Sequence, residues 1–142
     1  MVIQRWQSVW LLFAAILVAI FCFVPVAVVS NPATELAAAN LTMANFPVLA
    51  IVNGLVAVLL FIAIFLYKNT RLQKRVTLLS MLLICVVAVV TLTMALNGHD
   101  EAARVEIGGS VLLLIGALVF SAMAYRGIRR DEKLLRAADR LR

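Results

Sequence analysis

The sequence predicts an all-α membrane protein: an antiparallel four-helix transmembrane bundle with a C-terminal cytoplasmic amphipathic helix. Three observations predict it. Of the 142 residues, 65% are hydrophobic and 14% charged, and the mean hydropathy is +1.07. An ordinary soluble domain is about 45–50% apolar and about 25% charged, and a chain this short has too little interior to hide such an apolar excess. Second, the apolar residues gather into four uncharged stretches of bilayer length. Third, the few basic residues are sorted to one side of those stretches. The same composition excludes a disordered chain and a disulfide-stapled secreted scaffold.

A hydrocarbon core of about 30 Å takes about 20 residues of helix. The first stretch runs from Ser8 to about Val29 and stops at Ser30-Asn31-Pro32. It is longer than the apolar region of a signal peptide, and Val28-Val29-Ser30 makes a poor cleavage site, so an uncleaved span is expected. Pro25 predicts a kink or an early end to this helix. The next connection, residues 30–46, reads as a short helix over Pro32–Ala39, with Asn31 as its cap and Pro32 at its first position. Asn40-Leu41-Thr42 in this connection matches a glycosylation sequon, a short pattern of little weight.

The second span runs from Pro47 to Tyr67 and the third from Val76 to about Leu96, which Asn97-Gly98 terminates. The connection Asn97–Glu106 is acidic and holds His99 beside Asp100 and Glu101. Adjacent side chains point apart and rarely complete a coordination shell, so a solvated loop is expected rather than a metal site. The fourth span, Ile107–Tyr125, contains Gly108, Gly109, Gly116, Ser110 and Ser121 but no charge to oppose insertion.

Orientation follows from lysine and arginine. Arg5, the connection Lys68–Arg75 and the tail Arg126–Arg142 hold twelve of the thirteen basic residues, all on one side of a four-span chain. The other side has only Arg104 with Glu35, Asp100, Glu101 and Glu106, which leaves +9 on one face and −3 on the other. The positive-inside rule puts both termini in the cytoplasm. Trp6, Trp10, Tyr67 and Tyr125 fall at the inner ends of spans, where amphipathic rings settle.

Chemistry is sparse. No Asp, Glu, Lys, Arg or His enters a span, which removes the usual proton-coupled site. Cys22 and Cys85 lie in separate apolar runs without paired spacing. No enzyme, no cofactor and no nucleic-acid partner is expected. Asn53 is the most polar residue within a span and is the candidate intramembrane polar contact, either lining a small cavity or bonding to a neighbouring helix. Thr77, Ser80, Thr91, Thr93, Ser110 and Ser121 are expected to bond to their own backbone one turn earlier. Small residues at Ala15/Ala19, Ala50/Gly54, Ala117/Ser121 and Gly109/Gly116 favour close helix approach, within the chain or with another subunit.

The tail is helical by pattern. Ile128, Leu134, Leu135, Ala138 and Leu141 form one apolar stripe, and Glu132 and Arg136 stand at i,i+4. Such a helix lies on the anionic inner leaflet or docks a partner, or is a solvated topogenic tail.

The two ends together resemble a known family. The opening Ile3-Gln4-Arg5-Trp6-Gln7-Ser8-Val9-Trp10-Leu11-Leu12 and the tail's Ile128-Arg129-Arg130-Asp131-Glu132 and Ala138-Asp139-Arg140-Leu141-Arg142 are similar to domain-of-unknown-function family 4293, small four-span proteins of Bacteroidetes-type bacteria. The resemblance implies a bacterial inner-membrane location and transfers no activity or catalytic residue. Arg5, Asp131, Leu134, Leu135, Arg136, Asp139 and Arg140 become the candidate partner or lipid contacts, with Gln4 beside them. The expected function is a non-enzymatic accessory or assembly subunit. It contacts anionic lipid and a membrane-protein partner or its own copy. The competing expectation is a small oligomeric transporter or channel lined by Asn53 and the hydroxyls.

Overall fold

The structure, a computed structural model, describes residues 2–24, 27–30, 39–41, 46–97, 104–107 and 109–141. Four helices dominate it: α1 (Val2–Phe21), α2 (Pro47–Phe65), α3 (Thr70–Asn97) and α4 (Ser110–Arg140). Three short strands, β1 (Ala27–Ser30), β2 (Ala39–Leu41) and β3 (Arg104–Ile107), form one sheet in the order β2-β1-β3. A 3₁₀ turn, Leu66–Lys68, links α2 to α3. Pro47 opens α2 at its first turn, where its missing N–H costs no hydrogen bond.

Each helix buries one seam at alternating spacings of four and three residues. The seams are Gln7, Leu11, Ala14, Val18 and Phe21 on α1, and Leu49, Asn53, Val56, Leu60 and Ala63 on α2. On α3 they are Gln73, Thr77, Ser80, Ile84, Val87 and Thr91, and on α4 Ser110, Leu114, Ala117, Ser121, Ala124 and Ile128. This is the repeat that keeps a helix face turned toward its neighbours over many turns. α1 packs on α2 and α4, and α3 packs on α2 and α4, so the four contacts close a ring.

The seams mix small and polar residues with leucines and other apolar ones, while the outward faces are large and apolar. On α2, Val48, Ile51, Leu55, Val58, Phe61 and Phe65 are each more than half exposed. Soluble proteins place these residue types the other way round, because each large side chain left in water forfeits about 1.5–3 kcal/mol. Three helical segments, Pro47–Lys68, Thr70–Thr93 and Ser110–Arg140, are long and apolar enough to cross a membrane.

The first predicted span is corrected. Its apolar helical part is Trp6–Phe21, shorter than the other three. Cys22 and Phe23 turn, and Ala27–Ser30, expected as helix, is strand. The turn comes just ahead of Pro25, which disfavours helix in the residue before it, and Val28 and Val29 are β-branched residues suited to a strand. β1 pairs antiparallel with β3, Val28 opposite Glu106 and Ser30 opposite Arg104. Ile107, expected to open the fourth span, therefore closes a strand, and α4 starts at Ser110.

Two further boundaries move. α3 begins at Thr70, so most of the connection expected over Lys68–Arg75 is helix. α4 runs unbroken from Ser110 to Arg140, so the expected tail helix is the continuation of the last span rather than a separate element. The helix expected over Pro32–Ala39 falls outside the described residues, except that Ala39 belongs to β2. His99, Asp100 and Glu101 also lie outside the described residues.

Candidate functional site

The chemistry-bearing side chains collect where α3 begins and α4 leaves its apolar stretch. Gln7 is a buried seam residue near the start of α1, and its amide Nε2 donates to the Asp131 carboxylate on α4 at 2.7 Å. Gly127 makes room for it: a Cβ there would stand 2.8 Å from Gln7 Cγ. Gln73 on α3 is buried and donates from Nε2 to the Ala63 carbonyl of α2 at 3.1 Å. Lys74 on α3 donates to the Glu132 carboxylate at 2.9 Å, and Arg136, one turn beyond on α4, donates to its other oxygen at 2.7 Å. Side-chain bonds thus tie α1 to α4, α4 to α3, and α3 to α2 at one end of the ring.

Glu132 is the hub. Its side chain is 14% exposed, and the hydrogen bond from the Lys74 ammonium holds its carboxyl below the ordinary value of 4.5. Desolvation opposes that shift, and the nearby charges of Lys74 and Arg136 reinforce it. Beside Glu132, a cavity of about 540 Å³ is lined by Arg71, Lys74, Arg75 and Arg136, with Tyr125 and Leu78 at its apolar side. A neighbouring cleft reaches from Lys68 to Leu135 and Asp139.

The sequence-predicted residues are distributed as follows. Asp131 and Arg136 are engaged in the bonds above, and Leu135 and Asp139 line the neighbouring cleft. Arg140 lies beside Lys133 and Leu141 in a shallow depression on α4. Arg5 is placed in the second turn of α1; its side-chain contacts, like those of Gln4, lie outside the described residues. The tail stripe divides: Ile128 is buried in the ring, whereas Leu134 and Leu135 are 55% exposed and Leu141 is 90% exposed. The Glu132–Arg136 pair expected from its i,i+4 spacing is formed; the buried bonds of Gln7 and Gln73 and the Lys74–Glu132 pair were not expected. A spacing of seven from Gln7 to Ala14 and from Gln73 to Ser80 was the signal for the two glutamines.

Asn53 belongs to the other end of α1. Its amide Nδ2 donates to the Val18 carbonyl at 3.0 Å and contacts Cys22 Sγ at 2.9 Å, while its buried Oδ1 has no hydrogen-bond partner among the described residues. Thr77, Ser80, Thr91 and Ser121 bond to the carbonyl four residues earlier and Thr93 to the one three earlier. Gly116 takes Leu17 of α1 against it, since a Cβ would stand 3.2 Å from Leu17 Cδ1, but a Cβ on Gly54 would meet nothing. Trp10 stacks on Phe120 across α1 and α4 with centroids 5.4 Å apart. Among the described residues no cluster of His, Cys, Asp and Glu has the makings of a metal site.

The family model described as Domain of unknown function (DUF4293) matches residues 3–141. The chain belongs to this family. The match covers both ends of the polar tie, from Gln7 to Asp131 and Glu132, as well as the tail leucines. No curated protein and no solved structure matches the chain.

Proposed function

We infer that this DUF4293 protein is a non-enzymatic accessory or assembly subunit of a bacterial inner-membrane complex. In this reading four helices form an antiparallel bundle across the membrane, with both termini in the cytoplasm. The basic residues at the inner ends support that orientation. One observation carries the functional reading: beyond the Glu132 hub, α4 continues as helix and leaves Leu134, Leu135 and Leu141 exposed among charged residues. An apolar stripe on a projecting helix is the form in which amphipathic helices present anchors to a groove.

The competing reading, a small oligomeric transporter or channel, draws on Asn53 and the seam hydroxyls. Four of those hydroxyls, on Thr77, Ser80, Thr91 and Ser121, are spent on their own backbone, so they support helix packing more directly than a polar path. Crosslinking from photoreactive residues at Leu134 or Leu135, followed by mass spectrometry, tests the subunit reading. A defined membrane or cytosolic protein is expected in stoichiometric yield, lost when Leu134, Leu135 and Leu141 become Ser while membrane integration persists. Retention of transport-dependent growth only with Asn53 intact, with no tail partner, would favour the competing reading.

A further inference from the structure

The start of α3 is electrostatically unbalanced. Arg71, Lys74 and Arg75 crowd its first turns, and its first turn holds no acid. A helix N-terminus carries the positive end of the macrodipole and favours anions, so cations there are opposed by the dipole and by one another. Glu132 offsets Lys74 and Arg136. Arg71 and Arg75, one helical turn apart, have no acidic partner among the described residues, and both face the 540 Å³ cavity. Glu132 lines the same cavity, so one carboxylate stands there against four cations and does not balance them.

The cavity's other wall says which kind of anion. Leu78 and Tyr125 form its apolar edge. From Leu78 the same face of α3 continues through Leu82 and Val89, which are 51%, 56% and 61% exposed in order. Eleven residues of helix span about 16 Å, close to half a hydrocarbon core of about 30 Å. A cationic pocket continuous with an exposed apolar stripe one leaflet long matches an amphiphile, headgroup in the pocket and acyl chain along the stripe. Basic pockets at the cytoplasmic ends of membrane helices take lipid headgroups in this way.

We propose that Arg71, Arg75, Lys74 and Arg136 bind the phosphate of an anionic phospholipid, whose acyl chain lies along Leu78, Leu82 and Val89. The phosphate accepts hydrogen bonds from Arg71 and Arg75 and shares Lys74 and Arg136 with Glu132. This deepens the subunit reading and rests on its placement of this end at the inner membrane face. A headgroup here would hold α3 and α4 together where the tail emerges.

Native mass spectrometry of the full chain in mild detergent tests it, with phosphatidylglycerol, phosphatidylcholine and inorganic phosphate as separate probes. Phosphatidylglycerol adducts should survive on the wild type and exceed phosphatidylcholine adducts. R71Q/R75Q should weaken them roughly thirty-fold, at about 1 kcal/mol per basic residue. R129Q/R130Q, which removes the same charge from exposed positions of α4 outside the cavity, should leave them within a factor of two. Leu82→Ser should weaken the lipid adduct but not any phosphate binding. Equal adducts for both lipids, equal loss in both double variants, or competition by inorganic phosphate at equal concentration would each overturn the proposal. A reporter fused after Arg142 reads orientation independently, so a wrong orientation is distinguished from a wrong site.

Discussion

Asn53 and Gln7 are both amides in buried seams, yet they stand in different chemical situations. Asn53 spends its donor on the Val18 carbonyl and leaves its acceptor without a partner among the described residues. Interhelical hydrogen bonds in membranes average about 0.6 kcal/mol, and an unpaired buried oxygen subtracts from that gain. N53L should therefore change the thermal midpoint in detergent only slightly. A large loss would mean that the oxygen has a partner of functional weight. Gln7 instead meets a carboxylate, and it fits only because Gly127 has no side chain. G127A should displace Gln7 and lower the midpoint, while G54A, with open space around it, should hold or raise it. The hydroxyl bonding was readable from the sequence because one helical turn determines it. The Gln7–Asp131 bond was not, because it joins residues 124 positions apart and spacing along one helix cannot name the partner on another.

At the scale of elements, α3 and α4 are joined through Glu132. The lowered pKa of its carboxyl means that the folded state favours the ionised form, chiefly through Lys74. The resulting stabilisation is complete above the ordinary carboxylate value of 4.5 and is lost as pH falls through the lowered one. Thermal midpoints measured from pH 7 to pH 3 should fall at the acidic end, and E132Q should flatten that part of the profile. Lys74→Met combined with E132Q should cost less than the two single changes added together, because both remove one contact. Helix existence and the apolar centre of each span were legible from hydropathy and charge. The element boundaries near the sheet were not. Ala27–Ser30 and Arg104–Ile107 are apolar or alternating segments beside apolar runs, and a length count absorbs them into helix. Only their mutual pairing, Val29 opposite Val105, distinguishes them as strands.

At the scale of the molecule, large apolar side chains cover the outside, and the small and polar ones lie in the seams among buried leucines, an arrangement compatible with a lipid surround. Composition pointed to that compatibility, and the seven-residue rhythm could have revealed the seams. What composition could not reveal is that the tail is the extension of α4, held to the ring through Asp131 and Glu132 before its leucines become exposed. In the proposed account those leucines serve a partner. Replacing Leu134, Leu135 and Leu141 by Ser should abolish tail crosslinks without altering carbonate-resistant membrane association. The central claim is that α1, although its apolar helical part is shorter than the other three, crosses the membrane and brings both ends to the cytoplasm beside the Glu132 hub. Paired topology reporters, one before Met1 and one after Arg142, test it most directly. Both should report the cytoplasm; an external N-terminus with a cytoplasmic C-terminus would contradict a four-span arrangement.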